Sequence, residues 1–421
     1  MEFTDKKVNN FMKLIAYSVN GASFPALSRE EWDDVFLIAE RQNLSPLFYE
    51  AAMHDELLEK DRAFRENLYI ALVNAAEQDA KTEAFLNLYS CFTEKNCFPV
   101  VVKGILCRRL YGEKGSFRMS GDEDIIISVD EYNTVEFVLN EQGYQLVIDE
   151  EDDLTKYDDE SFYNKLEKVK ELTYYNEQSD LRIEVHINPF GVRNQVNRTM
   201  NQYFEEALSR CIFEDINGVS IKTYSLTDHL LFLILHAFKH FIYSGFGLRM
   251  ALDIAMYLKE YYNDCDLQLI DQRLKEINAD KLFYDIIYIA NNYWGFSFPE
   301  VESVCPDELI GDMINSGTFG NEEEGSSFSA VFTTAAVKRA ENGKRSNSKS
   351  GTFFRMAFPG KEWLYSVDPK AKGNPLRIIS VYCSRMVKGV KYISKHNTKN
   401  VNAALDTASN RLELLKKYEI V

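Results

Sequence analysis

The segment Gly115-Ser-Phe-Arg-Met-Ser-Gly-Asp-Glu-Asp-Ile-Ile-Ile carries the residue types best able to do chemistry. Asp122 and Asp124 stand two apart where a strand begins. Alternation along a strand sends both carboxylates to one face and Glu123 to the other. Two carboxylates side by side repel each other, and a divalent cation relieves that repulsion. A hard cation such as Mg²⁺ prefers oxygen donors. An isolated Asp-x-Asp is common at strand starts, but three further features join this one. Glu184, in Leu181-Arg-Ile-Glu-Val-His186, places a third carboxylate on a later strand and on the same face as His186. Lys103-Gly104 closes a strand ahead of a helix, where backbone N–H groups attract phosphate and glycine permits its close approach. Arg118 can reach a phosphate from the loop before the aspartates.

Together these residues point to two-metal phosphoryl transfer, in which metals about 3.5–4 Å apart clamp the attacking and leaving oxygens. Asp122 and Asp124 then hold both metals. Glu184 holds one of them and helps to deprotonate an acceptor hydroxyl. Lys103, Gly104, Arg118 and Ser120 bind a triphosphate. His186 either contacts acceptor or phosphate near the metals or is a satisfied core histidine. The blander alternative is a surface Asp-x-Asp, a loop glycine and a buried Glu paired with an Arg.

These residues need elements to hold them. Residues 1–95 read as packed helices, with Ser28 and Glu31 forming a capping box ahead of Trp32, Val35, Phe36 and Ala39 at helical spacing. The run 98–102 is a short β-branched strand, followed by a helix over 105–111 and a loop over 112–121. A strand covers 124–129, a helix 131–142, and two strands, 171–175 and 181–187, flank a turn. Residues 149–160 hold eight acidic residues and one lysine, which reads as an exposed loop. Ser225 and Asp228 cap an apolar helix that runs to Ile242, and a second helix spans 248–261. On the first, His236 and His240 share a face. They serve as structural histidines, as cleft residues with Lys239 meeting a phosphate, or as a zinc pair. The zincin motif needs Glu at position 237, where Ala237 stands, which argues against a metalloprotease. Gly/Ser/Asn-rich loops occupy much of 315–351, and helices resume from Arg377. The expected units are 1–95, 96–222, 223–300 and 301–421.

Among the 421 residues, 45% are hydrophobic, enough for a sizeable core rather than a disordered chain. A net charge of −17 argues against non-specific nucleic-acid binding or an anionic membrane surface. The stretch 338–399 runs the other way, with fifteen Lys and Arg against three Asp and Glu. It is a solvated basic face, a surface that docks on the acidic remainder, or a contact for phosphate, RNA or membrane. Seven scattered cysteines without a CxxC pair give no zinc or disulfide framework and fit a cytoplasmic location. No apolar signal core or membrane span is expected.

The order Lys-Gly, helix, Arg-x-x-x-Asp-x-Asp-hydrophobic, then a strand with acid-x-His resembles the bacterial "uncharacterised nucleotidyltransferase" family of the DNA polymerase β-like superfamily. Glu31-Trp32, Ala39 and Ser45-Pro-Leu-Phe-Tyr49 resemble its N-terminal helices. Asp228 to Leu258, with His236, Lys239, His240 and Asp253, resembles its helical module, and Phe358-Pro359, Pro375 and Arg385 its tail. The resemblance implies an α+β fold, with a small mixed sheet flanked by helices and helical additions at both ends. It also implies an NTP such as ATP, with Mg²⁺ or Mn²⁺, and leaves the acceptor open among small molecules, proteins and RNA. The superfamily's usual Gly-Ser is Lys103-Gly104 here, and the third acid is Glu184 where Asp is commoner. Two further readings therefore stand beside the active enzyme: a nucleotide-binding or regulatory protein that has lost catalysis, and a toxin-type enzyme modifying RNA or protein.

Overall fold

The computed structural model describes residues 5–53, 55–147, 171–191, 195–317, 372, 377–378, 380–381 and 401–420. The acidic run at 149–160, nearly all of the basic stretch 338–399, and the tail residues Phe358, Pro359, Pro375 and Arg385 lie outside the described residues. The chain divides into two units, one comprising 1–237 with 249–303 and the other 238–248 with 304–421.

The first unit is a mixed sheet with helices against it. Its strands are β1 (Val100–Val101), β2 (Asp122–Ile126), β3 (Gln145–Leu146), β4 (Leu172–Asn176), β5 (Leu181–His186), β6 (Ile212–Ile216) and β7 (Val219–Thr223). They lie in the order β3-β4-β5-β2-β1-β7-β6. β2 runs parallel to β5 and β1 parallel to β7, while β1 and β2 are antiparallel.

One face of the sheet is apolar for a simple reason. Val101, Ile125, Ile183 and Val185 all point the same way, and they pack on Phe85, Leu88, Tyr89 and Phe92 of the 33-residue helix Arg62–Glu94. Val135, Val138 and Leu139 of helix Tyr132–Glu141 complete that core. Alternation leaves Asp122, Asp124, Glu184 and His186 on the opposite face.

Several strands depart from the sequence reading. β1 is two residues long because the Lys103-Gly104 turn cuts it short, although Val102 N–H still donates to Asp124 O at 3.3 Å. β2 begins at Asp122, two residues early, so both aspartates are strand residues. The β6–β7 hairpin was not anticipated. Its turn is Asn217-Gly218, with φ of 52° and 83°, the two positive angles that a tight hairpin turn requires.

Helix Leu226–Tyr243 begins at the foreseen cap: Asp228 N–H donates to Ser225 Oγ (3.2 Å), and Ser225 Oγ–H donates to Asp228 Oδ2 (2.7 Å). Its His229 Nε2 lies 2.7 Å from Val102 O, which ties the helix to the end of β1. Helix Leu248–Tyr261 follows.

In the second unit, helices Pro306–Ser316 and Val401–Lys417 pack together. Ser316 ends a helix, so any loop there begins later than position 315. Buried Arg411 joins the parts of this unit by pairing with Asp312 and donating to Phe241 O. Among the described residues no helix is long and apolar enough to cross a membrane.

Candidate active site

The register of β2 on β5 sets the centre of the site, because Asp124 pairs directly with Glu184 and Asp122 with Arg182. Parallel pairing in this register puts the Asp124 and Glu184 carboxylates side by side on one face. His186, two residues further along β5, reaches between them. Its Nε2 lies 3.2 Å from Asp124 Oδ1 and 3.5 Å from Glu184 Oε2. On the other side, Lys103 Nζ lies 2.9 Å from Asp124 Oδ2 and 3.3 Å from His236 Nε2. His229 and His236 are seven residues apart, two helical turns, so the helix that anchors on Val102 also presents His236 to Lys103.

A small cleft opens onto this group, with Lys103, Gly104, Arg118, Ser120, Asp122, Asp124, His236, Arg249 and Asp253 in its wall. Burial pushes the Asp122 carboxyl up, and the neighbouring Asp124 and Glu184 charges add to it, giving about 6. Asp124 is held well below the usual carboxylate range: burial alone would raise it, but Lys103 and His186 outweigh that. Burial works against a charged His186 as well, yet its two carboxylate partners raise it to about 9. Lys103 is raised likewise, its burial outweighed by Asp124, Asp122 and Glu184. Three carboxylates therefore face two cations in a largely dehydrated space. The donor chemistry fits a divalent cation: Asp124, Glu184 and His186 each offer a ligand atom, all within 4.8 Å of one another. That grouping takes His186 in place of Asp122, which lies in the cleft wall beside it.

Several neighbours hold the frame. Glu123, sent to the opposite face, accepts from Ile105 N–H at 2.8 Å and pairs with buried Arg108. The N–H that opens helix Ile105–Arg109 thus meets a carboxylate and is not presented to the cleft. Ser120 Oγ accepts from Arg108, and Ser120 N–H donates to Gln78 Oε1 at 2.8 Å. Arg118 lies in the cleft wall with its guanidinium held by Asp253, Nε to Oδ1 at 3.1 Å and Nη2 to Oδ2 at 2.6 Å. Lys239 belongs to the second unit, and the cleft is built from the first alone. His240 Nδ1 lies 3.3 Å from Ser244 Oγ.

Sequence reasoning missed Glu123, Gln78 and Arg249. Glu123 was visible as an acid of opposite parity, in phase with apolar Ile125 and hence bound for burial. No local signal marks Gln78 or Arg249, which arrive from distant helices.

This assembly has the form of an acidic, cation-ready cleft on one face of a mixed sheet, over its central strands β2 and β5. The family model for an uncharacterised nucleotidyltransferase matches residues 28–295, and the chain belongs to that family. Neither a curated protein nor a solved structure matches it.

Proposed function

We propose that the protein is a metal-dependent nucleotidyltransferase, moving a nucleoside monophosphate from an NTP to a hydroxyl or phosphate acceptor. The observation that carries this reading is the Asp124–Glu184 cross-strand pair, with Asp122 beside it, in a cleft that also holds Lys103. The mixed sheet with acids on the adjacent parallel strands β2 and β5 fits a polymerase β-like core.

In this reading Asp122, Asp124 and Glu184 hold Mg²⁺ or Mn²⁺, with His186 as a further donor once it has released its proton. A bound divalent ion supplies charge neutralisation and alignment for the phosphates. Lys103 meets a phosphate oxygen, and Gly104, Ser120 and Arg118 shape the wall around it. The acceptor oxygen attacks the α-phosphorus, the bond to the β-phosphate breaks, and pyrophosphate leaves. Glu184 takes the proton of an acceptor hydroxyl. The burial of the site strengthens each of these charge interactions relative to water. A cytoplasmic setting accords with the scattered cysteines, and the acceptor class remains small molecule, protein or RNA.

A second reading, nucleotide binding without turnover, has one observation in its favour. Both oxygens of Asp124 already have nitrogen partners, His186 and Lys103, which compete with a metal. The test is transfer of label from each of the four α-labelled NTPs, with Mg²⁺ or Mn²⁺, to components of a cell lysate. Metal-dependent labelling supports the enzyme and identifies the acceptor class. Binding of NTP by calorimetry with no labelling and no pyrophosphate supports the second reading.

A further inference from the structure

We infer that Arg249 is the guanidinium that grips the phosphate chain of the ligand in this cleft, an assignment that rests on the nucleotidyltransferase reading above. The cations around the cleft differ in how far they are already engaged. Lys103 is on Asp124 and His236. Arg118 makes a two-pronged pair with Asp253, and Arg108 pairs with Glu123. Arg249 alone of these has no carboxylate within ion-pair distance among the described residues. Its one hydrogen bond goes to the neutral carbonyl of Met119, and its Nε has no partner. Arg108 and Arg411 also carry an unpartnered Nε, but each is neutralised by an acid.

Arg249 is 7% exposed, so water does not compensate it. Burial and the nearby Arg118 charge draw its pKa down to about 10, outweighing the more distant Asp253 and Asp122 charges that favour the cation. A buried charge without a partner costs several kcal/mol, in general. A protein that keeps one at a cleft wall gains from it when an anion arrives. The fork of a guanidinium matches two phosphate oxygens, whereas an ammonium offers a point charge. Asp122 and Asp124 line the same cleft, so a polyphosphate bound there would meet both the acidic strand β2 and Arg249. Arg249 opens helix Leu248–Tyr261 one turn before Asp253, and the Arg118–Asp253 pair fixes that turn.

Calorimetric titration of the full chain with inorganic triphosphate and with ATP, each with Mg²⁺, tests this on wild type, Arg249→Met and Arg249→Lys. Loss of a charge-assisted contact predicts triphosphate binding weaker by about 30-fold in Arg249→Met. Without ligand, the thermal midpoint of Arg249→Met should stay at or above that of wild type, since the substitution removes an unneutralised buried charge. With triphosphate, the midpoint should rise in wild type and rise less in the variant at the same ligand concentration. Equal triphosphate affinity in wild type and Arg249→Met overturns the assignment and leaves the nucleotidyltransferase reading standing. A wild type that binds neither triphosphate nor ATP overturns both. If Arg249→Met does not fold, Arg249→Lys decides: affinity lowered by about 10-fold supports a two-oxygen grip, and unchanged affinity overturns it.

Discussion

The carboxylate of Glu123 occupies the space that a side chain at position 104 would need: a Cβ there would lie 1.9 Å from Oε2. Gly104 also has φ +52° and ψ −112°, a backbone conformation that L side chains rarely adopt. The turn that delivers Lys103 to Asp124 and the buried Glu123–Arg108 pair thus exclude any residue but glycine. Gly104→Ala should destabilise the protein by roughly 3 kcal/mol or more, because it combines backbone strain with disruption of a buried ion pair. Urea unfolding measures this, and a change below about 1 kcal/mol would contradict the packing described.

Asp253 accepts from Arg118 twice and from Tyr111 Oη at 2.9 Å. Asp253→Ala removes the acceptor of all three hydrogen bonds and leaves Arg118 buried near Arg249. The expected loss is about 3–5 kcal/mol, the cost of breaking a buried pair on one side. Arg118→Met combined with Asp253→Leu should recover a large part of it. Chemical denaturation of the single and double variants checks both, and additive losses would show that the two residues do not act as a pair.

His229 gives the fold a dependence on pH. Burial lowers its pKa to about 4, from an ordinary value of 6.5, although its bond to Val102 O acts the other way. The carbonyl can only accept, so Nε2 carries the hydrogen, and burial holds the ring neutral. The unfolded chain therefore binds one more proton than the folded chain between those two values. This contribution to stability is complete above about pH 6.5, falls with decreasing pH, and is exhausted below about 4. Between pH 7 and pH 5 the loss is about 2 kcal/mol. Urea titrations at the two pH values should show a smaller difference in His229→Gln than in wild type. An equal difference would remove His229 as its source.

The chemistry of the site was legible where it depended on spacing within one segment. Asp122 and Asp124 share a face because strands alternate, and Glu184 and His186 do so for the same reason. What spacing cannot supply is register. That Asp124 meets Glu184, rather than Asp122 doing so, is fixed by the pairing of β2 with β5, and that pairing places His186 between the acids. Arg118 was read as a phosphate ligand from its place in the loop. Its bidentate partner Asp253 lies 135 residues away, and no local pattern announces the pair. Glu123 is a different case, since an acid in phase with Ile125 must be buried and so needs donors. The Asn217-Gly218 hairpin was also open to reading, because that dipeptide favours the left-handed backbone a tight turn needs. The helices whose ends carry chemical caps, at Ser28 and Ser225, were the most readable elements.

The measurement closest to the central claim is pyrophosphate release by wild type and by Asp122→Asn combined with Asp124→Asn. Each of the four NTPs would be supplied with Mg²⁺ or Mn²⁺ in the presence of lysate, and both proteins checked for the same thermal transition. Wild type should release pyrophosphate only with metal, and the folded double variant should lose at least about 100-fold, as removal of charge-stabilising groups costs in general. Release by the double variant at the wild-type rate would show that these carboxylates are not the site of the reaction.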